Sequence, residues 1–229
     1  QLFLEPGVWA EGCTFNTLGG PIYVGANAQL EEGSHLRGPI GIGAGARVKM
    51  GARIYGNVSL GPGSTVGGEL AHAVLWGNCA KGHDGYLGCS VLGEGVNLGA
   101  GSSNSNLLNT WAPVLLYDYK DKGLRDTGKS KVGAFIGDYA MCAINSSLIT
   151  GCVIGVGAQV ALSNFIPKFV ADFSWLTAAK LERYRWTGFQ DMLQQRAQLM
   201  GTTITAETLA LLEGVYLEAE QNKDTIKTK

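Results

Sequence analysis

The chain has 229 residues and a formal net charge of −1, with 45% hydrophobic and 16% charged residues. So even a balance offers no basic field for nucleic acid. No apolar run reaches the length of a membrane span, and none follows a charged leader as in a secretory signal.

Glycine stands out at 34 residues, which beside this apolar fraction reads as many tight turns rather than disorder. Five cysteines, Cys13, Cys79, Cys89, Cys142 and Cys152, are odd in number and lack CxxC spacing. They read as small buried hydrophobes of a cytoplasmic protein, where thiols stay reduced. The first residue is Gln rather than Met, and the sequence is expected to be a fragment or a processed form.

From the N-terminus, Val24, Leu30, Leu36, Ile42, Val48, Ile54, Leu60 and Val66 are apolar at a constant spacing of six. The beat returns at Leu92 and Leu98, and again at Ile136, Cys142, Leu148, Ile154 and Val160. A period of six fits neither a helix nor a two-faced strand. It fits a chain wound as a triangular prism, three hexapeptides to a coil, with the aliphatic residue inward and Gly or Asn at the corners. The expected fold is mainly β: a left-handed parallel β-helix of hexapeptide repeats over 1–171.

Two stretches interrupt the rhythm. Between Val66 and Leu92 the phase slips, with Val74, Ala80 and Tyr86 in one register and Leu75 and Leu87 in another. From about 102 to 133 it vanishes, which predicts an insertion loop on one face. Within that loop "GLRDTGKS" satisfies the phosphate-loop expression, but glycine-punctuated hexapeptides follow where a helix is required. Lys129 and Lys131 then remain as simple cations for a phosphate. Residues 172–229 form a helical cap, with one helix over 176–199 and another after Thr205, an N-cap with Glu207 in its first turn. Leu209, Leu212, Tyr216 and Ala219 line one face of the second. The cap is expected over the open end of the solenoid or against a neighbouring subunit.

His35, His72 and His83 lack the close pairing of a zinc site, and no metal is expected to be required. His83 sits in the first irregular stretch. Glu69 lies fourteen residues before it and Asn97 fourteen after, each near one coil away. A carboxylate at that distance can fix the ring tautomer, so the three form a base flanked by an acid and an amide.

"GHDGYLGCSVLGEGVNLGAGSSNSN", Gly82 to Asn106, resembles the acetyltransferase half of the bifunctional enzymes that make UDP-N-acetylglucosamine. It matches their pattern GHxxYLGxxxxGxxxNxGAGxxxxN without a gap. Bacterial sugar nucleotidyltransferase-like proteins of the same group are similar through "GPIYVGANAQLEEGSHLRGP", "VKMGARIYG" and "KGHDGYLG". The resemblance implies a CoA-dependent N-acyltransferase, with acetyl-CoA as co-substrate and an amino-sugar phosphate or nucleotide-linked amino sugar as acceptor. It makes His83 the base, Glu69 its orienting acid, and Tyr86, Asn97 and Arg53 the substrate-binding residues. Lys129 and Lys131 stand in for a displaced lysine, and Ala100 and Asn106 line the cofactor site.

The resemblance also implies a homotrimer and an upstream nucleotidyltransferase domain outside this chain. Departures are Ala71 in place of a sugar-binding lysine, and Ile144 and Leu162 at two CoA-side positions. They leave open an alternative: a non-catalytic trimerisation or regulatory module of a sugar-phosphate nucleotidyltransferase.

Overall fold

Each coil is made of short parallel strands whose central aliphatic side chain turns inward. On one wall Val24 pairs with Ile42, Ile42 with Leu60, Leu60 with Leu75 and Leu75 with Leu92. A second wall stacks Leu30, Val48 and Val66, and a third Leu36, Ile54, Leu70 and Leu87. All of these side chains are buried. In-register pairing satisfies each coil's backbone groups on its neighbours, and the stacked side chains close into one column of core. The computed structural model, which describes residues 1–221, is thus a left-handed parallel β-helix of about ten turns with two helices. Asn27 and Asn145 turn corners at φ of 57° and 56°, a conformation asparagine tolerates better than most residues.

The slipped phase has a physical basis in coil length. Val48 and its partner Val66 are eighteen residues apart, but Val66 and its partner Lys81 only fifteen, and Leu70 and Leu87 seventeen. The residues are lost at corners. Glu69–Leu75 and Tyr86–Leu92 each run as one strand around a bend, made at His72 (φ 53°) and Cys89 (φ 51°). At the start of the first short coil, a side chain on Gly61 would fall on the Trp76 carbonyl, so the chains can approach there only at glycine.

The insertion begins slightly later than expected, because Ser103–Asn104 still pairs with Ser147–Leu148. Its neck is closed by the Leu107–Lys131 bridge and by the Val132 N–H donating to Asn106 O. Beyond the neck, Leu115–Asp118 and Gly123–Asp126 form an antiparallel hairpin. Tyr117 stacks on Phe169 with ring centroids 3.6 Å apart, and the Tyr119 hydroxyl donates to Asp172. The "GLRDTGKS" segment is therefore half hairpin strand, and no helix follows it.

The C-terminal region departs from expectation in two ways. The solenoid does not stop at 171, and 176–185 is not helical. Ser174–Thr177 pairs with Gln159–Ala161, so that Leu176 continues the inward column above Val160. Leu181–Arg183 then folds back antiparallel and covers that edge. Burial at Leu176 and edge pairing at Leu181 outweigh helix propensity here. Helix α1 runs from Trp186 to Met200 and ends at Gly201 in the left-handed conformation.

Helix α2, Ala206–Gln221, starts as expected, with the Thr208 N–H donating to Thr205 Oγ1 and with Leu212, Tyr216 and Ala219 buried. The last eight residues of the expected cap lie outside the described residues. The helices sit along one corner of the prism and not over its end. Phe189, Leu193, Leu212 and Tyr216 pack on Tyr139 and Phe173, and Arg196 donates to the Asn78 carbonyl.

Candidate active site

His83 occupies a corner of the prism, between Ala80–Lys81 and Tyr86–Leu92, with its side chain exposed. The turn beneath it is Gly67-Gly68, where any side chain would strike the backbone of residues 82–85. That bare pair lets the histidine turn sit low on the coil. One coil above, the Gly101 N–H donates to the Asp84 carbonyl, which places Ala100 over the His83-Asp84 turn. Above Ala100 comes Ile144, since the Asn145 N–H donates to Ala100 O. Ile144 is 60% exposed and Leu162 is half-buried. This corner therefore runs upward from His83 as a small step at Ala100 followed by a bulkier apolar surface.

Two walls flank the corner. On one, Asn97 stands over Ala80 and beneath Met141, half-buried. On the other, Thr14, His35, Arg53, Glu69 and Tyr86 follow one another on successive coils. Glu69 is thus directly under Tyr86, three positions along the chain from His83. Among the described residues its ion-pair partner is Arg53, with Nε 3.8 Å from the Glu69 carboxylate, and no hydrogen bond joins it to His83.

Tyr86 lies flat along its strand because Gly88 leaves room; a Cβ there would meet the phenol. Its hydroxyl accepts from Asn106 Nδ2 at 3.0 Å, and Asn106 also reaches the Cys89 sulfur. Burial, with the Cys89 and Glu69 charges adding to it, pushes the phenol above its ordinary range, so the hydroxyl stays protonated at neutral pH.

Arg53, Glu69, Tyr86, His83, Asn97 and Ala100 are therefore gathered around one corner. Asn106 touches Tyr86, on the Glu69 side of that corner. Lys131 is exposed at the neck of the insertion, and Lys129 is exposed two residues farther out. Among the described residues no group of three or more His, Cys, Asp or Glu converges as a metal site requires.

The sequence reading missed Lys81. It occupies an inward position, paired with Val66 below, and is 2% exposed. Its ammonium donates to the Gly67 carbonyl at 3.0 Å and to the His83 carbonyl. A lysine in an aliphatic column thereby ties the histidine turn to the coil beneath. Burial pulls its pKa down to about 8, against a smaller opposing effect of Asp84. Leu75, Lys81 and Leu87 are six apart, so the beat itself marked the position.

These coils and this corner define a hexapeptide-repeat β-helix with an open, polar corner site. A bifunctional sugar-1-phosphate nucleotidylyltransferase/acetyltransferase from Sulfurisphaera tokodaii is 34% identical over 98 residues, 40% of this chain and 22% of its own. Proteins called bifunctional protein GlmU are similar as well. That of Idiomarina loihiensis is 32% identical over 122 residues, 53% of this chain and 22% of the relative. That of Methanococcus aeolicus is 30% identical over 106 residues, 44% and 25% respectively. The chain thus spans about a quarter or less of the length of the curated relatives it matches, and no family model matches it. Among solved structures, a Francisella novicida UDP-N-acetylglucosamine acyltransferase covers 98% of this chain and 85% of its own at a TM-score of 0.42 and 12% identity.

Proposed function

We propose that this chain carries the acyl-transfer site of an enzyme that acylates the amine of an amino-sugar phosphate or nucleotide-linked amino sugar from acetyl-CoA. The observation that supports this best is the His83 corner. An exposed imidazole stands between the polar Arg53–Glu69–Tyr86 ladder, suited to a sugar, and the stepped apolar surface of Ala100 and Ile144, suited to an acyl thioester.

In this mechanism the neutral acceptor amine attacks the thioester carbonyl carbon. The C–N bond forms, the nitrogen's proton passes to His83, and the tetrahedral intermediate collapses with cleavage of the C–S bond. The imidazolium returns the proton to the departing thiolate. The Ala100 N–H faces the oxyanion, Asn97 and Tyr86 hold the amine, and Glu69 with Arg53 sets the polarity of the acceptor side. No covalent enzyme intermediate is required, because the thioester is already activated. The solenoid's long faces, with Trp76, Ile144 and Phe165 exposed, suit assembly into a closed trimer.

The test is thiol release from acetyl-CoA over a panel of amino-sugar phosphates and nucleotide-linked amino sugars, with His83→Ala alongside. Turnover of one acceptor that falls with the variant supports the reading. No turnover of any acceptor, with no acetyl-CoA binding by calorimetry at millimolar concentration, would instead leave the chain as an assembly module.

A further inference from the structure

The ladder that starts beside His83 does not end at Arg53. Farther toward the N-terminus, on the same wall, is a recess of about 340 Å³ lined by Thr14, Asn16, His35, Arg37, Arg53 and Tyr55. Two outward columns build it. The first is Thr14, His35, Arg53 and then Glu69; the second is Asn16 and Arg37, with Tyr55 on the next coil and Ala71 on the one after. Leu36 and Ile54, pointing inward between the columns, form its floor.

The recess is cationic. Arg37 has no carboxylate partner among the described residues, and its guanidinium lies 5.7 Å from the centre of the Tyr55 ring. His35 Nδ1 is 2.7 Å from the Thr14 hydroxyl. A hydroxyl donating to Nδ1 places the ring proton on Nε2, where it can be given to a ligand. Arg53 is shared with Glu69 at 3.8 Å, too long for a hydrogen bond, so its guanidinium keeps donors for an anion. By contrast, Ala71 leaves the second column without a cation beside Glu69.

Position decides which anion fits. Adjacent coils are about 4.8 Å apart, so Arg53 is about 10 Å below the level of His83, and His35 and Arg37 about 15 Å below it. A single sugar ring with its phosphate spans the first interval but not the second. A diphosphate continuing into a nucleoside spans both, and Tyr55, 40% exposed, offers its ring face to a base.

We propose that the recess binds the nucleoside diphosphate portion of the acceptor. Arg53, His35 and Arg37 take the phosphoryl oxygens and Tyr55 the base, so the acceptor is a nucleotide-linked amino sugar and not a sugar monophosphate. This rests on the reading of the His83 corner as the acceptor-amine site.

The test measures binding and turnover separately. Calorimetry with UDP, dTDP, ADP and GDP on the intact chain should show one of them binding. The affinity should fall at least tenfold in Arg37→Ala and in Tyr55→Ala, only partly in Arg37→Lys, and not at all in His83→Ala. Arg37 and Tyr55 are exposed, and circular dichroism of each variant checks that it folds. Inorganic pyrophosphate should compete for the wild-type site, weakly, because it lacks a base. Absence of nucleotide binding together with turnover of a sugar monophosphate overturns this proposal and leaves the acyl-transfer reading standing. Arg37-dependent nucleotide binding without turnover of any nucleotide-linked amino sugar overturns the acyl-transfer reading and, with it, the assignment of the bound nucleotide to an acceptor. Nucleotide binding unaffected by Arg37→Ala and Tyr55→Ala also overturns this proposal.

Discussion

The coils from Val24 to Val66 and those from Val66 to Leu98 use one architecture to different ends. In the first region the partners on each wall are eighteen residues apart, the residue on each six-residue beat is aliphatic, and the face is a regular lattice. In the second the coils shrink to fifteen and seventeen residues, two strands bend around a corner through positive φ, and one inward position is a lysine. The candidate base sits in the second region. Regular coils cannot raise one side chain above the rest, since each corner repeats the one below. Removing residues at corners brings the chain in close over Gly67-Gly68 and presents a single imidazole there. The regular region supplies stiffness, and the compressed region supplies an exception.

The sharpest way to break that contrast is at the exception itself. His83→Ala should reduce thiol release about 10²–10⁴-fold while leaving the melting temperature nearly unchanged, because the side chain is exposed. Leu30→Ala, in the lattice, should do the opposite. It should cost about 2–5 kcal/mol of stability in a denaturant titration, with turnover per folded molecule intact.

Lys81→Met probes the boundary between the two. The folded pKa of Lys81 is about 8 and the unfolded value 10.5. The unfolded chain therefore holds the extra proton between those values, and stability should rise with pH across that window by about 3 kcal/mol. Below pH 8 the burial cost is fully present. Lys81→Met should flatten this rise, measured by denaturation at pH 7 and pH 10, and should lower turnover by loosening the His83 turn. The smallest effect belongs outside both regions: Thr205→Ala removes the α2 cap and should cost about 1 kcal/mol without touching turnover.

Much of this was legible in the residues because a six-residue period admits few structures. The stacked core from Val24 to Val66 follows from spacing alone, as does the Thr205 cap with its buried Leu212 and Tyr216. Counting fourteen residues from His83 to Glu69 and to Asn97 put them on the coils next to it. It could not give the contacts, since the coil there is seventeen residues long and places Glu69 under Tyr86. Lys81 escaped because a charged residue on the apolar beat looks like a break in the beat, and only its two carbonyl partners show how the charge is accommodated. Ser174–Thr177 and Leu181–Arg183 escaped for another reason. Strand there depends on an edge offered by Gln159–Ala161, which no local pattern reveals.

The contacts of α1 have a bearing on how the molecule comes apart. A stack of coils held only by nearest neighbours behaves as a one-dimensional zipper, opening from either end one unit at a time. Phe189 packs at the level of Phe173, while Arg196 of the same helix grips the carbonyl of Asn78, four rungs away. A single rigid rod fastened at both places makes those rungs open together or not at all. In native-state hydrogen exchange the coils between Asn78 and Phe173 should behave as one cooperative block. The first coils, beyond the rod's reach, should fray on their own.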